Sequence, residues 1–221
     1  MLIRTVSVVV ATAFIAGCAP TPAPLELRWN AQRNVDAFAD TETCRVTTWF
    51  AREGQDGWRQ ANHIYPVVER HGTAVLVGVM TAPMRAGANL VAAPSGDVQI
   101  RIDGNPTFTI AAVETPAEVQ QGTSTQVMAE STAAQMQALL KNNPQVDAAA
   151  FAEMQKSSVG RMSAMMSPRT LATGDKAAQI LAQMKAGKTI MYRKVTVGTV
   201  TSDPVSFPLD GLNAALAQCG L

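Results

Sequence analysis

Asp97-Val98-Gln99-Ile100-Arg101-Ile102-Asp103-Gly104-Asn105-Pro106-Thr107-Phe108-Thr109-Ile110 is the stretch whose reading decides the fold. Val98, Ile100 and Ile102 alternate with Gln99, Arg101 and Asp103, the period-two pattern of a strand with one apolar face. Asp103-Gly104-Asn105-Pro106 is a run of turn-forming residues, and Phe108 and Ile110 restore the apolar face beyond it. The reading is a β-hairpin of Val98–Ile102 and Thr107–Ile110, so the chain contains antiparallel sheet.

Upstream of the hairpin the same character continues. Cys44-Arg45-Val46-Thr47-Thr48-Trp49-Phe50 is rich in residues that suit a pleated surface. Across Thr73 to Thr81, Val75, Val77 and Val79 share one face, with Ala74 and Gly78 on the other. Downstream the pattern changes near Glu114. Thr123-Ser124-Thr125-Gln126 offers a helix cap, and Val127 to Lys141 is dense in Ala, Met, Leu and Gln, with Met128, Thr132, Met136, Leu139 and Leu140 in one stripe. Asn143 caps and Pro144 opens a second helix that fades by Ser157-Ser158. Gly160 to Thr173, with Met162, Met165, Met166 and then Pro168, is ambiguous. Asp175 is expected to cap a third helix that buries Ile180, Leu181 and Met184 and ends at Gly187. Lys188 to Thr201 reads as a long strand, Phe207-Pro208-Leu209 as extended chain, and Leu212, Ala215, Leu216 and Cys219 as the stripe of a short final helix. The resulting expectation is an α+β protein. Its antiparallel sheet or sandwich draws on residues 44–110 and 188–209, with a helical insertion at about 115–170 and a short C-terminal helix.

The C-terminal third carries a resemblance. Leu181-x-x-Met184-Lys185-x-Gly187-Lys188, a long strand, and Val205-Ser206-Phe207-Pro208-Leu209-Asp210-Gly211-Leu212-Asn213-Ala214-Ala215-Leu216-x-x-Cys219-Gly220 follow one another. Over residues 175–220 this order resembles the ending of periplasmic proteins of the invasion-associated locus B type, which close with a strand, a Leu-x-Gly-aromatic turn and an Ala-rich helix. The resemblance implies an exported antiparallel β domain that acts by binding, and it brings no catalytic residues with it. The helical region at 115–170 and the lipid anchor depart from that pattern.

The N-terminus resembles a bacterial lipoprotein signal. Arg4 supplies a positive start, and Val6, Val8, Val9, Val10, Ala11, Ala13, Phe14 and Ile15 form an apolar stretch too short to span a hydrocarbon layer of roughly 30 Å. Ile15-Ala16-Gly17-Cys18 resembles the lipobox, at which a signal peptidase cuts before a cysteine already bearing diacylglycerol. Residues 1–17 are therefore expected to be removed and Cys18 to become the lipidated N-terminus. Each buried CH₂ contributes about 0.8 kcal/mol, so the two or three chains of such a cysteine form a lasting anchor where one is marginal. Ala19, rather than Asp, after the cysteine points by the same resemblance to the outer membrane, with the domain facing the periplasm. Pro20, Pro22 and Pro24 make residues 19–25 a semi-rigid spacer. Residues 18–43 thus hold the lipidated N-terminus, the spacer and the start of the domain, and 44–221 its body.

Composition bounds the function. Hydrophobic residues make up 47% and charged residues 16% of the chain, which suits a folded domain with few charged helical faces. The net charge of +1 and the 5% aromatic content leave no footprint for nucleic acid. Apart from Cys18 the cysteines are Cys44 and Cys219. In an oxidising compartment an isolated pair bridges, and two separate buried thiols are the alternative. The chain has no phosphate-binding loop, dinucleotide fingerprint, Gly-x-Ser-x-Gly elbow or Cys-x-x-Cys motif. No cofactor is expected, and the chain reads as a non-enzyme.

His63 and His71 flank Ile64-Tyr65-Pro66-Val67-Val68, and Glu69 lies nearby, but the spacing matches no metal site and reads as loop or strand-end histidines. Asp97 and Asp103 read as solvated ends of one strand. The methionines stand out: there are eleven, with Met162, Met165 and Met166 close together. Core filling is the commonest use of such residues, an adaptable protein-binding surface is a second, and soft thioether ligation of Cu(I) is a third. The functional expectation is an envelope lipoprotein that binds another envelope or host component, with a periplasmic Cu(I)-handling protein as the alternative.

Overall fold

A computed structural model describes residues 26–36, 41–51, 59–60, 63–86, 89–119, 157–158, 160–195 and 202–221. The expected signal at 1–17, Cys18, the proline spacer and the helices expected over 127–141 and 144–156 lie outside these residues. Among the described residues no helix is long and apolar enough to cross a membrane.

The architecture is α+β, built on two antiparallel sheets. The larger sheet runs in the order β1 (Glu26–Asp36), β2 (Thr41–Ala51), β3 (Ile64–His71), β4 (Ala74–Thr81) and β9 (Arg169–Ala172). The smaller runs β11 (Val205–Pro208), β10 (Thr189–Val195), β7 (Asp97–Ile102) and β8 (Phe108–Ile110). A separate ribbon pairs β5 (Met84–Ala86) with β6 (Asn89–Val91). Residues 160–166 form helix α1. Helix α2 spans Gly174–Ala186 and helix α3 Leu212–Gln218. One hydrophobic core joins both sheets to α2 and α3.

The hairpin forms as read. Val98, Ile100 and Ile102 are fully buried, and Asn105 N–H donates to the Ile102 carbonyl at 3.0 Å across the turn. Asp103 takes a positive φ of 48°, a conformation that aspartate tolerates better than most residues. Asp97 and Asp103 do more than meet solvent. The Asp103 carboxylate accepts the N–H of Lys188 at 3.0 Å and of Thr189 at 2.9 Å, fixing where β10 enters beside β7. Asp97 accepts the Ala112 N–H at 2.7 Å. Strand ends leave backbone donors without a ladder partner, and short acidic side chains satisfy them.

Three further departures from the sequence reading have physical causes. The sheet reaches further upstream than the expected residue 44, to β1, whose Leu27, Trp29 and Ala31 pack against the core while Glu26, Arg28 and Gln32 face solvent. The ambiguous segment 160–173, which overlaps the end of the expected helical insertion, contains β9, which extends the larger sheet; Gly78 of β4 lets it approach, since a Cβ there would sit 2.0 Å from the Thr170 carbonyl oxygen. Helix α2 takes Thr173 as its N-cap residue, so Asp175 lies inside the first turn, where its negative charge is favourable beside the positive end of the helix dipole.

Pro66 lies within β3, a central strand, where a missing N–H is ordinarily costly. The β2–β3 ladder stops at the Thr47–Val67 pair, just short of Pro66, and the Pro66 carbonyl instead accepts the Thr47 hydroxyl at 2.9 Å. At the C-terminus α3 buries Leu212, Ala215 and Leu216, and Cys219 behind it forms a disulfide with Cys44 of β2, with Cα atoms 5.6 Å apart. The Trp29 indole N–H donates to the Pro208 carbonyl at 2.9 Å, so β1 also holds the C-terminal segment.

Candidate functional site

Helix α1 presents the methionines. Its inward contact is Ala164, 1% exposed, while Met162, Met165 and Met166 are 64%, 60% and 56% exposed. This corrects the expectation of core filling. An alanine lets the helix lie close on the domain, and residues three and four apart then share a face that points away from it.

The base of α1 is firmly tied. The Ser167 carbonyl accepts the Ser95 N–H at 3.0 Å, and the Pro168 carbonyl accepts the Thr81 N–H at 2.8 Å. The Ser167 hydroxyl accepts the Arg169 N–H at 3.1 Å, and the Ser95 and Thr170 hydroxyls lie 2.7 Å apart. Thr81, Ser95, Ser167 and Thr170 are all buried, so these bonds form a dry polar joint. The β5–β6 ribbon leaves and rejoins the domain at that joint, between Thr81 and Ser95, and its cross-strand partners Met84 and Val91 are 40% and 49% exposed. Two projections carrying exposed apolar side chains therefore spring from one rigid junction.

A second constellation is ionic. Glu69, 1% exposed, accepts Arg45 Nε at 2.6 Å, contacts His71 Nε2 at 2.9 Å and meets Arg169 Nη1 at 3.4 Å. Arg45 is its direct cross-strand neighbour on β2, and Gly78 occupies the middle of the diagonal from Glu69 to Arg169. Burial alone would raise the carboxyl pKa. The charges of Arg45 and then Arg169, with hydrogen bonds from His71 and Arg45, outweigh it and hold the group below its ordinary value. A carboxylate so fully engaged is a structural ion rather than a proton carrier. His63 stands apart, exposed just before β3, so the structure does not bring the two histidines together. Among the described residues no group of three or more His, Cys, Asp or Glu side chains could hold a metal ion.

Two of the concavities among the described residues have largely apolar walls. A cleft of about 300 Å³ has Phe50, Tyr65, Tyr192 and Phe207 in its wall, with His63 and Asp203 beside them. Tyr192 and Phe207 stack with ring centroids 5.6 Å apart, and the Tyr192 hydroxyl donates to the Ile64 carbonyl. Burial raises the Tyr192 pKa, so that phenol serves as a fixed donor. A wider hollow of about 600 Å³ is walled by Val75, Leu76, Pro116, Val119, Ala178 and Leu181, with His71 at its edge.

No family model matches this chain, and no curated protein or solved structure does either. The sequence reading identified the methionine trio and the Cys44–Cys219 pair. It missed the Glu69 cluster and the polar joint, in which Arg45–Glu69, Ser95–Thr170 and Arg169–Glu69 join residues 24, 75 and 100 apart in sequence.

Proposed function

We propose that this chain is a non-catalytic lipoprotein of the bacterial envelope that docks another envelope or host protein through the methionine face of α1. In this reading residues 1–17 direct export, and Cys18 carries the acyl chains that hold the domain on the outer membrane, facing the periplasm. The observation that carries the docking is the exposure of Met162, Met165 and Met166 on a helix whose base is hydrogen-bonded into the sheet. Burying one such side chain is worth about 1.5–3 kcal/mol, and thioethers adapt their shape to a partner. A face held rigidly at its base loses little order on binding. The Cys44–Cys219 disulfide accords with an oxidising compartment.

The test is a photoreactive residue at Arg161, exposed on the same helix, in intact envelopes. A discrete protein adduct is expected, absent when the photoreactive residue replaces Asp210 and lost in a Met162/Met165/Met166→Gln variant. An adduct pattern that is the same for all three proteins overturns the reading.

The same exposure supports a second reading, in which the sulfurs, unfilled by core packing, ligate Cu(I). Saturable Cu(I) binding lost in a Met162/Met165/Met166→Leu variant would establish it. Absence of binding, or unchanged binding in that variant, removes it.

A further inference from the structure

The methionines among the described residues differ widely in exposure. Met184 and Met80 are 1% and 8% exposed, whereas the three α1 methionines are each more than half exposed. The chain has 3 cysteines. Cys44 and Cys219 are buried and already joined, and Cys18 in the proposed mature form has its sulfur in a thioether to diacylglycerol. No thiol is then left to intercept an oxidant, and among the described residues the thioethers of α1 are more exposed than that of Met84, at 40%.

We propose that Met162, Met165 and Met166 are a methionine-sulfoxide modification site, and that their oxidation by peroxides releases the docked partner. The release rests on the docking reading above; the site itself does not. In the chemical step a sulfur lone pair attacks one peroxide oxygen. The S–O bond forms as the O–O bond breaks, sulfur gives up two electrons, and the departing oxygen leaves as water after taking up the remaining proton. The product replaces an apolar thioether by a strongly polar S=O group. Three such groups on one face turn a surface fit for apolar contact into one that must be desolvated on binding.

The geometry lets this happen without harm to the fold. Ala164 supplies the inward contact of α1 and the ties at its base run through Ser167 and Pro168, while the methionine side chains of the trio are mostly exposed. Oxidation of Met184 or Met80 would instead force a polar group into the core. The two classes of methionine form an internal control.

The experiment uses the mature lipoprotein in detergent, treated with hydrogen peroxide and followed by peptide-level mass analysis. Met162, Met165 and Met166 are expected to gain oxygen at least about tenfold faster than Met80 and Met184, because exposure governs the rate. Circular dichroism should stay unchanged. Equal rates for the two classes would overturn the site. In a second arm, envelopes carrying the Arg161 photoreactive protein are treated with peroxide before illumination. Loss of the adduct, and its retention in the Met162/Met165/Met166→Leu variant, supports the switch. Persistence of the adduct on fully oxidised protein overturns the switch and leaves docking intact. No adduct even before peroxide overturns docking, and the mass analysis still decides the modification site.

Discussion

Replacing Cys44 and Cys219 together by alanine removes a cross-link between residues 175 apart in sequence. In the chain-entropy account, closing a loop of that length restricts the unfolded ensemble enough to contribute about 5 kcal/mol to stability. That is a large share of the 5–15 kcal/mol of a typical domain. Alanine is the right replacement, because both sites are buried and a serine hydroxyl there would add an unsatisfied polar group. The helix behind Cys219 would not simply peel away. Leu212 and Leu216 remain in the core, and Arg33 still donates to the Gln218 carbonyl at 3.0 Å. The effect should therefore appear in global unfolding. With a urea m-value of about 2 kcal/mol/M, the midpoint should fall by about 2.5 M. The m-value itself should rise, since an unbridged denatured chain exposes more surface. Equilibrium urea unfolding followed by tryptophan fluorescence measures both quantities. A midpoint shift below about 0.5 M with an unchanged m-value would refute the reasoning, because the bridge would then restrain a chain already compact when unfolded.

Two other perturbations test separate parts of the account. Cys18→Ser should move the protein from the membrane fraction to the soluble fraction of the envelope, since it removes the acyl chains and keeps the export signal; retention on membranes at high salt would contradict the lipid anchor. Glu69→Gln leaves Arg169 buried without its anion and should cost about 3–5 kcal/mol at neutral pH, read by denaturant unfolding. The pH dependence has a definite sign. The folded-state pKa of Glu69 lies below the ordinary 4.5, so its contribution is present above that value and is lost as pH falls through the lowered pKa. The gap between wild type and variant should therefore narrow on acidification below about pH 4.5, and a gap that widens there would contradict the assigned ion cluster.

The parts of the fold that were legible in the sequence are those whose burial follows a simple period. β7 and β8 show a two-residue alternation around a turn, and α2 and α3 show helical stripes that the structure buries at Ile180, Leu181, Met184, Leu212, Ala215 and Leu216. β1 escaped because it is an edge strand with an exposed, charged outer face, and its apolar residues are only partly buried. β9 escaped because it has four residues, two of them Arg169 and Thr170, whose burial depends on partners elsewhere in the chain. The Glu69 cluster is set by pairing of β2, β3, β4 and β9, and register between distant strands leaves no local mark. At the candidate site the spacing of Met162, Met165 and Met166 was plain, but a stripe at helical spacing serves a core or a surface equally. Which way α1 turns is decided by the contact at Ala164 and the bonds at Ser167 and Pro168, made with Thr81 and Ser95 far upstream.

The docking face is tested most directly by titrating the protein captured from Arg161 against the mature lipoprotein in a calorimeter, at several temperatures, beside the Met162/Met165/Met166→Gln variant. If each methionine anchors the partner with about 1 kcal/mol, the variant should bind at least about a hundredfold more weakly. The wild-type complex should also form with a negative heat-capacity change that shrinks in the variant, the mark of apolar surface leaving water. Equal affinity and an equal heat-capacity change for the two proteins would contradict the account, because the exposed thioethers would then lie outside the interface.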